Sequence, residues 1–346
     1  MSRENRPVDE AREVVTRIAY GAMASYAVGA AARLGVVDLI GDGVSTADEL
    51  AAKCAARPQA MGRLLRALAG LGLLAESAPG RFAVTPAGAL LRSEGPDSLY
   101  SFVRMFTEPA MLRSWERLDD SVRTGEPAFD AVFGSDFFGH LTERPELAAL
   151  FHAAMGQATR DTAALVPAAF DFGRFATVAD IGGGDGTLLA AILTAHPALR
   201  GILFDLGEGL AQAPDTLARN GLDGRCSLVN GDFFSTAPDG ADLYLLKSVL
   251  HDWNDEQCAD ILRHCRRVTP DDGRLLIIEP VLPPVVDPAT AGVVYISDLN
   301  MLVNVGGRER TREDFERLCQ GAGFALRSVT PLPRPNRFSL IEAEPV

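Results

Sequence analysis

Cysteine is scarce in this chain of 346 residues. There are five, Cys54, Cys226, Cys258, Cys265 and Cys319, and no Cys-x-x-Cys pair among them. That odd, scattered set suits neither a full disulfide framework nor a zinc knuckle, and it reads as reduced core thiols in a cytoplasmic protein. Long apolar runs are missing too. The longest, Ile18 to Ala32, is about 15 residues of mostly Ala and Gly, against the roughly 20 that a bilayer requires. Glu4, Asp9, Glu10 and Glu13 precede it, where a secretory leader would be positive, so neither a targeting segment nor a membrane partner is expected. Basic charge is outnumbered, with 33 Lys and Arg against 46 Asp and Glu and a net charge of −13. Nucleic-acid affinity rests largely on phosphate neutralisation, so that balance points to a small-molecule partner and no nucleic acid.

Hydrophobic residues make up 47% of the chain, enough for two ordinary cores. Ala11 to Leu39 reads as helix, with Gly21, Ala22, Ala24, Gly29 and Ala30 offering a small face for close packing. Thr46 and Glu49 have the spacing of a capping box, ahead of Leu64, Leu65, Leu68 and Leu71 at helical spacing. Arg81 to Pro86 looks like a short strand after a Pro-Gly turn. Helix, helix and short hairpin in that order suggest a winged helix-turn-helix. Residues 45–92 hold six basic side chains (Lys53, Arg57, Arg63, Arg66, Arg81, Arg92) against three acids (Asp48, Glu49, Glu76). The candidate recognition helix, Gln59 to Gly70, lacks the Asn, Gln, Ser and Arg cluster that reads base edges, so a scaffold or dimerisation role is favoured over DNA binding.

From Leu99 to Phe170 the pattern is helical and rich in Phe, Met and Trp, a core whose side chains could also wall an aromatic-binding cavity. After Phe175 strands alternate with helices: Ala176 to Ile181, Gly201 to Leu206, Cys226 to Asp232, Ala241 to Val249 and Arg274 to Pro280. Such alternation is the signature of a parallel, doubly wound α/β sheet. Two last strands, Phe324 to Thr330 and Phe338 to Glu344, flank Pro331, Pro333, Pro335 and Asn336 with no room for a crossover helix, so they form an antiparallel hairpin.

Asp180-Ile181-Gly182-Gly183-Gly184-Asp185-Gly186 puts a glycine turn between the first of these strands and its helix. Thr187 stands where a third glycine would complete the dinucleotide fingerprint, so that motif fails. Acids at Asp180 and Asp185 would repel a pyrophosphate and suit a ligand carrying an ammonium and a sulfonium. Asp205, 19 positions after Gly186 at the end of the second strand, can accept from both hydroxyls of a ribose. Asp232, after the third strand, can accept from an adenine amino group while Phe233 covers the ring. One strand-end acid often only caps a helix; three at the carboxyl edge of one sheet point to a ligand.

His251 follows the fourth strand at the same edge. A lone histidine is more often structural, but an imidazole with a pKa near 6.5 is a natural base for a phenol, and Glu279, read as ending the fifth strand, can hold the ring and stabilise the imidazolium.

With these stretches, together with Leu246-Lys-Ser-Val-Leu-His-Asp-Trp-Asn-Asp-Glu, Ile278-Glu-Pro-Val-Leu-Pro and Gly306-Gly-Arg-Glu-Arg-Thr, nearly the whole chain resembles the plant-type small-molecule O-methyltransferases and their bacterial relatives acting on aromatic polyketides. The resemblance implies a class I methyltransferase fold: a Rossmann-like α/β sheet with a C-terminal antiparallel hairpin, after a mainly helical winged-helix dimerisation domain. It divides the chain into residues 1–98 for dimerisation, 99–170 as a helical linker and substrate-pocket region, and 171–346 for catalysis and S-adenosylmethionine binding. Gly182, Gly184, Asp205, Leu206, Asp232, Phe233 and Lys247 are then expected to contact S-adenosylmethionine, with Thr159 reaching its carboxylate. His251 is implied as the base, bracketed by Glu279 and Glu309. Met155, Trp253, Met301 and Asn304 are expected to line the acceptor pocket, and a homodimer is implied in which part of one subunit closes its partner's site.

Asp97 to Phe138 and Ser297 to Val305 follow the plant pattern only loosely, so the acceptor does not carry over. High Ala, Arg and Gly content favours a bacterial secondary-metabolite phenol. The expected reaction is an in-line displacement in which His251 takes the acceptor's proton. Near-attack positioning supplies at best roughly 7 to 11 kcal/mol, and a general base about 10²–10⁴-fold. No metal is expected, since no ligand cluster with metal spacing stands near the site. Two rival readings remain at this point: the same fold and cofactor serving hydroxylation, decarboxylation or rearrangement, and a ligand-sensing DNA-binding regulator.

Overall fold

In the computed structural model, residues 6–286 and 292–346 are described. The chain forms two compact units, 1–112 and 113–346.

In the first unit the small-residue stretch makes three helices, Arg6–Ala19, Gly21–Arg33 and Val36–Ile40, where sequence periodicity suggested one. Gly35 ends the second of them with φ of +63°, a left-handed conformation that costs a residue without Cβ little. Strand β1 (Val44–Thr46) leads into the helix Ala47–Lys53 through the expected capping box: Thr46 N–H donates to Glu49 Oε2 over 2.7 Å, and Glu49 N–H donates to Thr46 Oγ1 over 3.3 Å. After the helix Pro58–Gly70 come β2 (Leu74–Ala78) and β3 (Arg81–Val84), giving a small sheet in the order β1-β3-β2. Two helices between β1 and the β2-β3 hairpin, with all three strands in one small sheet, is the winged-helix arrangement. Leu50, Leu65, Leu68 and Phe82 are its buried core, each worth about 1.5–3 kcal/mol of burial. Val15, Ile18, Met23 and Tyr26 on its first two helices, and Tyr20 between them, are by contrast exposed.

The second unit opens with short helices and the long helix Pro145–Ala169, then builds the main sheet. Its strands are β4 (Thr177–Ile181), β5 (Arg200–Asp205), β6 (Cys226–Asn230), β7 (Leu243–Lys247), β8 (Arg274–Leu282), β10 (Phe324–Pro331) and β11 (Phe338–Pro345), ordered β10-β11-β8-β7-β4-β5-β6. The short β9 (Arg310–Thr311) pairs with the end of β8. Strands β4 to β8 pair in parallel, and the C-terminal hairpin adds antiparallel to β8, as the proline-rich connection requires. Buried on both faces, β4 and β7 are nearly continuous apolar runs. Strand order reverses at β4, between β5 and β7, which opens a crevice at their carboxyl ends. One boundary is corrected: β8 continues to Leu282, so Glu279 lies inside it, paired with Ser339, and Val281 and Leu282 go on to pair with β9. Among the described residues no helix is long and apolar enough to cross a membrane.

Candidate active site

The glycine turn after β4 sits in that crevice. Gly182 and Gly184 have φ of +70° and +57°. A Cβ on Gly182 would stand 2.8 Å from Val249 Cγ2 and 3.5 Å from the Phe233 ring, whereas a Cβ on Gly184 would meet no atom within 4 Å. Gly182 therefore lets the chain pass closely over its neighbours, and Gly184 borders open space that a ligand can fill. The Gly184 N–H donates to Asp205 Oδ2 over 2.8 Å and that of Leu206 to Oδ1 over 2.7 Å, which fixes the Asp205 carboxylate beside the turn. Burial raises the Asp205 pKa against these two hydrogen bonds. Leu206 itself is exposed at the rim.

The two acids that flank the turn have defined surroundings. Asp180 is buried beneath Gly183 and pushed up to about 7 by that burial and by the charge of Asp205. Asp185 accepts from the N–H (3.0 Å) and Oγ1 (2.9 Å) of Thr187, the first residue of the helix Thr187–Ala195. Asp232 accepts from Phe234 N–H (2.8 Å) and Ser235 Oγ (3.3 Å), a turn that sets the Phe233 ring against Gly182.

Lys247, at the end of β7, donates to Thr159 Oγ1 over 2.9 Å and lies 5.0 Å from the Phe338 ring centre. Burial lowers its pKa to about 8, against the charges of Glu279 and Asp180. Thr159 in turn donates to the carbonyl of Met155, one turn back on the helix Pro145–Ala169.

His251 sits on a 3₁₀ turn, Leu250–Asp252, just past β7. Its Nδ1 is 3.3 Å from Glu309 Oε1 and 3.5 Å from Glu279 Oε2, and its Nε2 is 3.6 Å from Asp252 Oδ1. Both glutamates are buried, so the three expected residues are gathered in one cluster from three separate elements. Burial alone would lower the imidazole's pKa. The charges of Glu279 and Asp252, with the hydrogen bond and charge of Glu309, outweigh it and raise the value to about 10. The ordinary value near 6.5 read from sequence is thus corrected, because three carboxylates face one ring. Burial pushes Glu279 up to about 7 and Asp252 up to about 6, each against the charge of His251. Ligand atoms of His251, Glu279 and Glu309 also lie within 4.8 Å of one another, a group of metal-binding type that the sequence spacing does not reveal.

Trp253 stacks on Phe138 with ring centres 5.1 Å apart and meets Phe234 edge-on at 4.7 Å. Met301 and Asn304 are buried on the helix Gly292–Asn304, and Met155 is half-buried.

Two family models match the chain: an O-methyltransferase dimerisation domain over residues 16–94 and an O-methyltransferase domain over 115–325. The chain belongs to the O-methyltransferase family. The family's O-demethylpuromycin O-methyltransferase of Streptomyces alboniger is 47% identical over 97% of this chain and 90% of its own length. A solved mitomycin 7-O-methyltransferase superposes with a TM-score of 0.91 at 37% identity, covering 99% of this chain and all of that one. An O-methyltransferase from neocarzinostatin biosynthesis, solved with S-adenosylhomocysteine and 1,4-dihydroxy-2-naphthoic acid, matches with a TM-score of 0.79 at 32% identity over 93% of this chain and 96% of its own. The cofactor of this O-methyltransferase is S-adenosylmethionine, and the open space beside Gly184 with the fixed Asp205 carboxylate fits it. Relatives of this kind do not favour the non-methylating or DNA-binding readings.

Several residues of this O-methyltransferase's site escape a reading of the sequence. Ser297 Oγ donates to Glu309 Oε1 over 3.1 Å, and Asp298 Oδ1 accepts from the Glu309 N–H over 2.8 Å, so Glu309 is held on two sides. Asn300 Oδ1 accepts from Trp115 Nε1 (3.1 Å) and Asn304 Nδ2 (2.9 Å), which fixes the Asn304 amide and leaves its Oδ1 buried without a partner. Ser248, between Lys247 and His251, holds φ of +53°, a conformation that costs a side chain on the order of 1–3 kcal/mol and gathers at functional turns. His152, Met155 and Thr159 share one face of their helix by spacing, and burial depresses the His152 pKa against the charges of Asp205 and Glu208.

Proposed function

We propose that this S-adenosylmethionine-dependent O-methyltransferase methylates a phenolic hydroxyl of a small aromatic secondary metabolite, working as a cytoplasmic homodimer with His251 as general base. The observation that carries this reading is the His251, Glu279 and Glu309 cluster at the carboxyl edge of the sheet. An imidazole held by two carboxylates, two residues before the Trp253 ring that stacks on Phe138, supports a base beside an aromatic acceptor. The names of the relatives support an aromatic acceptor, and the dimerisation domain, with its exposed Val15, Ile18 and Met23, supports the dimer.

Gly182, Gly184, Asp205, Leu206, Asp232, Phe233, Lys247 and Thr159 would hold the cofactor, and Met155, Trp253, Met301 and Asn304 the acceptor. Bound S-adenosylmethionine supplies an activated methyl on a sulfonium. Glu309 and Glu279 occupy the Nδ1 side of His251, and Nε2, with Asp252 Oδ1 3.6 Å away, is the nitrogen that would take the hydroxyl proton as the acceptor oxygen attacks. The imidazolium that forms is stabilised by the same carboxylates. Because the imidazole in the ligand-free site already holds its proton at neutral pH, it becomes a base only once that proton has left. Positive charge from the sulfonium would favour that loss.

Calorimetry with S-adenosylmethionine and S-adenosylhomocysteine, followed by a mass-spectrometric screen of phenols for gain of one CH₂, tests the reading. Cofactor binding with a methylated phenol is expected, and His251→Ala is expected to keep cofactor binding and lose most turnover. Near-full activity in His251→Ala would remove the base assignment.

A further inference from the structure

Leu250, the residue before His251, has both of its peptide groups tied. Its N–H donates to Glu279 Oε1 over 3.1 Å, beside that of Val249 at 3.0 Å, and its carbonyl accepts from Arg310 Nη1 over 2.6 Å. Arg310 is 1% exposed, one of the most deeply buried large side chains described. Its fork closes the turn from the carbonyl side: Nη2 donates to Trp253 O over 2.8 Å, so the guanidinium bridges the residues on either side of His251 and Asp252. The remaining donors are used as well. Nε and Nη2 reach Asp255 Oδ1 at 3.1 and 2.8 Å, and Nη1 reaches the Arg308 carbonyl at 3.4 Å. Its backbone lies in β9, which pairs with the end of β8, the strand that carries Glu279.

We infer that Arg310 is a positioning residue for His251: acting through the Leu250 and Trp253 carbonyls, its guanidinium holds the imidazole against Glu279 and Glu309. The inference rests on His251 being the base. A planar, permanently charged fork suits this burial, because its donors are spread over three nitrogens whereas the three of an ammonium leave from one atom. Buried arginine with full pairing is costly to desolvate, and that cost is explained if the loop it orders is the one that must not drift.

Arg310→Lys tests this. The groups that face His251 are Glu279 from β8, Glu309 from just before β9 and Asp252 from its own turn. Lys247 acts on Glu279 and Asp252, and Asp298 binds the Glu309 backbone. If the turn loosens, the ring moves away from the two glutamates and loses what holds its proton. The inflection of kcat/KM against pH then shifts down toward the ordinary imidazole value, while kcat per S-adenosylhomocysteine-binding site falls roughly 10- to 100-fold. Affinity for S-adenosylhomocysteine stays within about twofold. Simple loss of folded protein lowers the number of binding sites and leaves the inflection alone. Should Arg310→Lys not fold, Asp255→Asn carries the test: Asp255 is half exposed, Arg310 keeps its carbonyl partners, and a smaller shift in the same direction is expected. Wild-type kcat per site with an unmoved inflection in the variant that folds overturns the inference. His251→Ala, run alongside, separates the outcomes, because an active His251→Ala removes the base reading itself, whereas an inactive one with a wild-type Arg310→Lys removes only the role of Arg310.

Discussion

Lys247 and Thr159 stand 88 positions apart in the sequence and 2.9 Å apart in space, ammonium to hydroxyl. The hydroxyl proton is spent on Met155, so Thr159 offers Lys247 a lone pair in a place where burial has already lowered the amine to about 8. Thr159→Val keeps the shape and removes that acceptor, which lowers the amine further. A lysine is charged below its folded pKa and neutral above it. Between the variant's value and about 8, wild type keeps the cation and the variant has lost it; above about 8 both are neutral. Calorimetric affinity for S-adenosylhomocysteine should therefore drop about tenfold near neutrality, with the gap narrowing at alkaline pH. Equal affinity across the whole range would show that Lys247 does not face the cofactor.

His251 gives the second expectation its sign. Its folded value of about 10 lies above the ordinary imidazole value, so the protonated form is favoured up to that value and the basic form gains as pH rises through it. With cofactor saturating, kcat/KM for the acceptor should keep climbing above the ordinary imidazole range and level off below about 10, the sulfonium having reduced the ring's hold on its proton. A profile already flat at neutral pH would mean that the carboxylates do not act on the ring during turnover.

Gly184 and Gly182 should separate binding from folding. Alanine at Gly184 carries the left-handed penalty, on the order of 1–2 kcal/mol, but its methyl enters open space. Thermal unfolding should move little, while S-adenosylhomocysteine binding weakens about tenfold or more, because that space is where the ligand must lie. Alanine at Gly182 strikes Val249 and crowds Phe233, so unfolding temperature should fall first. Undiminished binding by Gly184→Ala would place the cofactor elsewhere.

Much of this was legible because the signals are local. Apolar runs ending in a glycine turn or an acid marked β4, β5 and β8, the run Leu243 to Leu246 marked β7, and the prolines between β10 and β11 forced their hairpin. Strand β1 escaped because it is three residues long, and β2, implied only as the other arm of the hairpin, got no bounds because it buries only Leu74. Gathering His251 with Glu279 and Glu309 followed from resemblance, but the ring's raised pKa did not. It sums charges from three elements, and no spacing encodes such a sum. Ser297 reaching Glu309 and Arg310 reaching Leu250 span 12 and 60 positions, with nothing periodic between them. The surroundings of Asp180 and Asp185 were not legible either: the sequence puts both beside the turn, and only packing decides which way a carboxylate faces.

Gly307 supplies the last test. A Cβ there would overlap the carbonyl oxygen of His251 and the peptide joining Asp252 to Trp253, so the base's own backbone leans on a residue with no side chain. Gly307 does not hold a left-handed conformation, and alanine therefore brings no backbone penalty, only the collision. The turn must move outward by more than a few tenths of an ångström, which carries His251 off the glutamates while leaving the glycine turn after β4 untouched. Gly307→Ala is expected to lower kcat roughly 10- to 100-fold with S-adenosylhomocysteine affinity unchanged. Placed on His251→Ala it should cost almost nothing more, since groups acting as a unit are not additive. If the double variant instead loses the full product of the two effects, Gly307 acts on something other than the placement of His251, and the close approach would be a feature of packing alone.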